Sequence, residues 1–208
     1  MALIFVTGSD TGVGKTHVAG LLARRMARDG FTQVIKPVES GAAAGRPADA
    51  LKAAGKWAEA HTLLTLPAPI APLAAAKKAR KQLDLATLLK LYRAVPLAPC
   101  RVVESAGGVA VPIDPKGKDW SDFAAAIKPM AVIIVVEDRL GAINQARLAI
   151  AYLRRRYDGP MGVWLNAIKK PTPAVAAANR AGLADAWIPL YGESGPGKKP
   201  PRFHFLPR

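Results

Sequence analysis

Apolar residues arrive in this chain as short unbroken runs, separated by stretches in which they recur every three or four positions. The runs are Leu3-Ile4-Phe5-Val6, Val34-Ile35 after Gln33, Val102-Val103 after Arg101, Val132-Ile133-Ile134-Val135-Val136, and Val163-Trp164-Leu165. Continuous rather than alternating apolar character is what a strand needs when both faces of its sheet are covered. Between the runs, Val18, Leu21, Leu22 and Met26 share one side of a helix predicted from about residue 15 to 28, ending before Gly30. Leu85, Leu88, Leu89 and Tyr92 mark another helix with Asp84 as its cap. Further helices are predicted over about 48–60 and 142–155. The prolines of segment 66–72 lack backbone donors and exclude regular structure there. Strands alternating with helices predict an α/β fold, a mostly parallel sheet with helices on both faces and right-handed crossovers. The domain is expected to take in residues 1–191. Residues 192–208, rich in Pro, Gly and basic side chains, read as a peripheral tail.

Composition narrows the class. Half of the 208 residues are apolar, enough for a folded core. No apolar run approaches the roughly 20 residues of a membrane span, and the opening run is too short and lacks the basic leader of a signal peptide. The single cysteine, Cys100, has no partner for an internal disulfide. A cytoplasmic protein is expected. The charge, 30 Lys+Arg against 15 Asp+Glu, suits anionic ligands. The basic residues, however, fall in scattered groups at 77–81, 154–156, 169–170 and 198–199, none interleaved with several aromatics as a single-strand binding platform requires. Neither a specific nucleic-acid partner nor a membrane partner is predicted.

One motif carries chemistry outright. Gly8-Ser9-Asp10-Thr11-Gly12-Val13-Gly14-Lys15-Thr16 fits G-x-x-x-x-G-K-[ST], directly after a strand and directly before a helix. Its glycines let successive N–H groups point inward at phosphate oxygens, and the helix adds its positive end. The fold class is therefore P-loop NTPase-like. Gly12, Val13, Gly14, Lys15 and Thr16 are the expected nucleotide-binding residues, with Lys15 on the β/γ-phosphates of ATP and the Thr16 hydroxyl on Mg²⁺. Mg²⁺ also takes one or two carboxylates. Glu104, at the end of an apolar strand on the phosphate edge, is the first candidate. Asp49 is either a second ligand or an acid that offsets a helix dipole. Lys36 ends the second strand on the same edge, as a cation for a transferring phosphoryl group or as a solvated strand-end lysine.

Taken together, these segments resemble the dethiobiotin synthetases over roughly residues 1–170. The phosphate loop is similar to that family's own. Lys36-Pro37-Val38-Glu39-Ser40-Gly41 resembles its Lys-Pro-Val-x-Ser-Gly segment. Glu104-Ser105-Ala106-Gly107-Gly108 is similar to its Glu-Gly-Ala-Gly-Gly element, and Leu140-Gly141-Ala142-Ile143-Asn144 to its Leu-Gly-x-Ile-Asn turn. The resemblance implies ATP- and Mg²⁺-dependent carboxylation and ring closure of 7,8-diaminopelargonate in a homodimer. It implies that Lys15 and Lys36 offset anionic charge and that Thr11 and Ser40 bond the carbamate or diamine. Thr16, Asp49 and Glu104 would then hold Mg²⁺, and Asn166 would read adenine. The backbone at Gly141, Ala142, Ile143 and Asn144 would hold the substrate carboxylate across the dimer interface. Four departures stand out. The family's Glu-Pro-x-x-Pro-His segment is Ala68-Pro69-Ile70-Ala71-Pro72-Leu73 here, Ser105 replaces a glycine where it could narrow the pocket, Gln145 stands where histidine is frequent, and the likeness fades beyond about 170. The alternatives are a related ATP-dependent ligase with another amine, a DNA-binding partition-type ATPase, and a catalytically silent binding protein.

Overall fold

The five apolar runs become five adjacent strands of one parallel sheet. The structure, a computed structural model, describes residues 1–42 and 48–196. In chain order its first half runs β1 (Ala2–Gly8), α1 (Lys15–Met26), β2 (Thr32–Lys36), β3 (Glu39–Ser40), α2 (Asp49–Ala54), β4 (Glu59–Thr62), β5 (Thr65–Leu66), α3 (Pro72–Lys78) and α4 (Leu85–Ala94). The second half runs β6 (Cys100–Glu104), α5 (Trp120–Ile127), β7 (Ala131–Glu137), α6 (Ala142–Arg154), β8 (Met161–Asn166), α7 (Pro173–Asp185) and β9 (Leu190–Ser194). The main sheet has the order β4-β2-β6-β1-β7-β8-β9, and β3 pairs with β5 in a separate two-stranded piece.

Period-two alternation in the strands splits the core between the two faces. Ile4, Val6, Val34, Val102, Ile133 and Val135 point to one side, where Val18, Leu22 and Met26 of α1 and Ala50, Ala53 and Ala54 of α2 cover them. Leu3, Phe5, Ile35, Val103, Val132 and Ile134 point to the other, against Leu88, Tyr92, Trp120, Phe123 and Leu153. Phe5, Trp120 and Phe123 meet with ring centroids 5.7–6.5 Å apart. From this cluster Trp120 also donates its indole N–H to the Ala106 carbonyl at 2.7 Å, tying the loop after β6 to the core.

The chain leaves β1 towards β2 on one side and, after β6, crosses β1 to β7 on the other. The carboxyl end of β1 is thus the point where strand order reverses, the place where open α/β sheets bind ligands. Register decides which side chains gather there. Val6 lies beside Glu104, and Ile35 beside Val103. Lys36 and Glu104, one residue further along adjacent parallel strands, therefore emerge at the same level.

Four expectations change. The segment 66–72, expected to lack regular structure, gives Leu66 to β5 and Pro72 to the first turn of α3, where a missing backbone donor costs nothing. The helix expected over 48–60 stops at Ala54, where Gly55 takes a positive φ of 50°, and residues 59–62 form the edge strand β4 instead. Helices α3, α5 and α7 and strand β9 add to the predicted set. Because β9 pairs with β8 through Ser194, the first residues assigned to the tail, Gly192 to Ser194, belong to the sheet. The rest of that tail from 197, and residues 43–47 of the predicted loop, lie outside the described residues.

Candidate active site

Gly12 and Gly14 hold the phosphate loop in its curl with φ of 78° and 96°, values that side chains resist. Gly14 has a second reason to lack a side chain: a Cβ there would lie 2.0 Å from Nδ2 of Asn166. That amide donates to the Val13 carbonyl at 2.9 Å, and the Asn166 Oδ1 accepts from the Ser194 hydroxyl at 2.6 Å. Ser194 in turn accepts from the Trp164 indole at 2.9 Å. Asn166, the residue expected at the purine, thus braces the loop from β8 and β9 with both ends of its carboxamide. Helix α1 starts at Lys15 with neither a capping side chain nor an acid in its first turn, which leaves its N-terminal N–H groups open to an anion.

Four charged or hydroxyl side chains converge in front of this loop. Lys36 Nζ lies 2.5 Å from Glu104 Oε1 and 3.4 Å from Asp49 Oδ2. The Thr16 hydroxyl donates to the same Glu104 oxygen at 2.8 Å. Lys36 and Glu104 are buried, and Glu104 Oε2 has no hydrogen-bond partner among the described residues. Lys15 donates to the Asp10 carbonyl at 2.8 Å. Burial, with the Lys36 charge second, pulls its pKa down to about 8. Desolvation by itself raises the Asp49 pKa, yet the Lys36 charge and the hydrogen bond from Lys52 at 3.0 Å outweigh it and leave the carboxyl below its ordinary value.

A cleft of about 670 Å³ opens here, lined by Thr11, Lys15, Thr16, Lys36, Ser40, Asp49 and Glu104 among others. Its far wall is apolar: Pro69, Ile70, Ala71 and Pro72, with Val38 and Val111. Ala68 and Leu73 turn away from it and pack against the core. Ser105 does not narrow the cleft. It is fully buried and donates to Thr7 Oγ1 at 3.0 Å, beneath the site. Glu39 also lines the cleft, and its role was not legible in sequence although it stands beside Ser40 in the quoted segment.

The structure does not bring Gly141, Ala142, Ile143 and Asn144 into this cleft. They form the start of α6, where Gly141 (φ 93°) provides no side-chain cap. Gly141, Ile143 and Asn144 border a separate groove of about 830 Å³ between α6 and α7, with Leu140 and Leu148 exposed along it. A hydrogen bond from Ser9 Oγ to Gln145 Oε1 at 3.3 Å links the phosphate loop to α6.

The profile of a family described as an AAA domain matches residues 3–188. The ATP-dependent dethiobiotin synthetase of Anaeromyxobacter dehalogenans (strain 2CP-C) is 39% identical over 170 residues, covering 78% of this chain and 75% of that protein. The ATP-dependent dethiobiotin synthetase of Paramagnetospirillum magneticum is 32% identical over 201 residues, covering 86% and 93%. Among solved structures, a ParA family ATPase from Chlorobium tepidum superposes with a TM-score of 0.58 at 13% identity, covering 95% of this chain and 84% of that one. At that identity the similarity is one of fold alone.

Proposed function

The chain belongs to the ATP-dependent dethiobiotin synthetase family, and on that footing we propose that it closes a cyclic urea on 7,8-diaminopelargonate with CO₂ and ATP, yielding dethiobiotin, ADP and phosphate. The observation that carries this reading is the convergence of two lysines, Lys15 and Lys36, on the cleft beside the phosphate loop. One amine of the substrate takes up CO₂ as a carbamate, whose oxygen attacks the γ-phosphate. The second amine then forms the remaining C–N bond and phosphate leaves. Carbamate and triphosphate are both anions, so cations must offset their repulsion. Lys15 serves the triphosphate. Lys36, held by two carboxylates, can turn its ammonium to the carbamate. Ser40, whose Oγ is buried without a partner among the described residues, and Thr11 on the rim supply hydrogen bonds to carbamate or diamine.

The residues also fit Mg²⁺. Thr16, Asp49 and Glu104 offer oxygens around one point, Glu104 Oε2 is buried and unpartnered, and a cation, the Lys36 ammonium, already lies between the two carboxylates. Two carboxylates and a hydroxyl suit an ion that keeps water and phosphate oxygens as its other ligands. Bound there, Mg²⁺ supplies further positive charge to the triphosphate.

The position of Gly141 to Asn144 outside the cleft supports a homodimer, in which one subunit's α6 N-terminus meets the carboxylate of a substrate bound by the other. Exposed Leu140 and Leu148 along the adjoining groove suit such an interface. To read adenine, Asn166 has its second amide N–H and the second lone pair of Oδ1, beyond the bonds to Val13 and Ser194. No helix among the described residues is long and apolar enough to cross a membrane. We place the enzyme in the cytoplasm, acting on small molecules and not on nucleic acid.

Purified protein given ATP, Mg²⁺, labelled bicarbonate and 7,8-diaminopelargonate should release phosphate and form labelled dethiobiotin in equal amounts. Lys36→Ala should lower kcat about a hundredfold while ATP affinity stays within threefold. ATP hydrolysis that ignores the diamine and leaves no label in product would sink the reading.

A further inference from the structure

The cleft holds one acid that neither the phosphate nor the metal chemistry uses. Glu39 is 8% exposed and sits on β3, held in register by the pairing of Glu39 with Thr65 and Ser40 with Leu66. Its Oε1 accepts the Asp49 backbone N–H at 3.0 Å. Its Oε2 is buried and has no hydrogen-bond partner among the described residues. The neighbouring acids differ in being held by cations, although Glu104 also keeps one buried oxygen, Oε2, unpartnered among the described residues at the proposed metal position. Glu104 is held by Lys36 and Thr16, and Asp49 by Lys36 and Lys52, so the cleft's lysines are already engaged away from Glu39. A buried carboxylate oxygen left without a donor costs about 1–3 kcal/mol. Such an atom needs a reason, and a ligand that donates hydrogen bonds is one.

The surroundings narrow the ligand. The cleft is also lined by Pro69, Ile70, Ala71 and Pro72, which bring no donor side chain, and beside Glu39 the Ser40 hydroxyl is likewise unpartnered. A hydroxyl and a carboxylate next to an apolar wall suit a short aliphatic chain that carries an amine. We propose that Glu39 is the amine-binding residue of this cleft: its Oε2 receives one amino group of the diamine as an ammonium, orients it towards the carbamate formed on the other, and takes the proton that this nitrogen must lose before its lone pair forms the second C–N bond. This rests on the synthetase reading above. It also accounts for Ala68 and Leu73 as non-participants, since the charge that recognises the amine comes from β3 and not from the segment 68–73.

The test uses Glu39→Gln, which keeps an oxygen for the Asp49 N–H and removes the charge. The KM for 7,8-diaminopelargonate should rise at least tenfold, with the ATP KM and the Mg²⁺ concentration for half-maximal rate within twofold of wild type. A diamine KM within twofold of wild type overturns the proposal, as does a variant whose main change is in its Mg²⁺ requirement, which would make Glu39 a group of the metal site. A second measurement stands apart from turnover. Binding of propane-1,2-diamine, followed by ligand-observed NMR, should weaken at least tenfold in Glu39→Gln while ATP binding persists as the check on folding. If wild type and variant bind the probe equally, or neither binds it, the proposal fails. If wild type makes no dethiobiotin yet binds the probe through Glu39, the synthetase reading falls and the amine site stands.

Discussion

The two halves of the cleft are built on different terms. On the phosphate-loop side the protein has engaged its own donors, Lys15 on the Asp10 carbonyl, Thr16 and Lys36 on Glu104 Oε1, and Asn166 on Val13. The one buried oxygen left open there among the described residues is Glu104 Oε2, at the proposed metal position. On the β3 side two buried polar atoms, Glu39 Oε2 and Ser40 Oγ, have no partner among the described residues. On the reading proposed above, the nucleotide half is assembled before its ligand arrives except for the Glu104 oxygen at the metal position, while the acceptor half is completed by its ligand. Preorganised donors cost no rearrangement when charge develops. Open acceptors gain most from the molecule that supplies their missing bonds, and so confer selectivity.

The contrast breaks most sharply at Lys15. Lys15→Ala should reduce phosphate release at least a hundredfold and abolish measurable Mg-ATP binding, with the chain still folded by circular dichroism. Phosphate release equal to wild type would remove the nucleotide half from the account. The same residue gives a pH test without mutation. Its pKa in the free protein is about 8, below the ordinary 10.5, because burial and then Lys36 disfavour the cation. A bound triphosphate favours the cation and raises that pKa, so proton uptake accompanies binding. ATP affinity should therefore be level below pH 8 and fall towards tenfold per unit above it. Affinity unchanged between pH 7 and 9.5, by calorimetry, would show that Lys15 does not meet the phosphates as a cation.

Asn166 tests whether the nucleotide half is rigid by design. Asn166→Ala leaves Gly14 unbraced and the Ser194 hydroxyl and Val13 carbonyl each short of a partner. It should lower stability by about 2 kcal/mol in urea titrations and raise the ATP KM several-fold. A large loss of ATP affinity with no loss of stability would instead assign Asn166 to the base and leave the loop to hold itself.

How far these features were legible depends on what surrounds each residue. The central strands β2, β6, β1, β7 and β8 showed as apolar runs because both of their faces are buried. The edge strands did not: Glu59-Ala60-His61-Thr62 in β4 and Leu190 to Ser194 in β9 mix polar and apolar residues. Helices α3, α5 and α7 are rich in alanine, which blurs the contrast between faces, though Asp119 before α5 and Thr172-Pro173 at the start of α7 are capping patterns that could have announced two of them. Lys15, Thr16, Lys36 and Glu104 were legible because strand ends of a parallel sheet share one edge. The brace by Asn166 and the open oxygen of Glu39 were not. Each depends on segments distant in sequence, Asn166 on Val13 and Ser194 and Glu39 on Asp49, that only the folded chain juxtaposes.

The smallest expected effect concerns Asp49, which lies on the boundary between the two halves. Its side chain faces Lys36 at 3.4 Å and Lys52 at 3.0 Å, while its backbone N–H serves Glu39. Asp49→Asn keeps that backbone bond and removes only the charge. If the carboxylate helps to hold Mg²⁺, the concentration needed for half-maximal rate should rise about three- to tenfold, since one ligand charge is lost while Glu104 and Thr16 remain. The diamine KM should stay within twofold, because the acceptor half is untouched. Were Asp49 present only to offset the start of α2, the Mg²⁺ titration would not move and stability would fall by about 0.5 kcal/mol. A rise in the diamine KM equal to the shift in Mg²⁺ would erase the division between the halves, since one carboxylate would then serve both ligands.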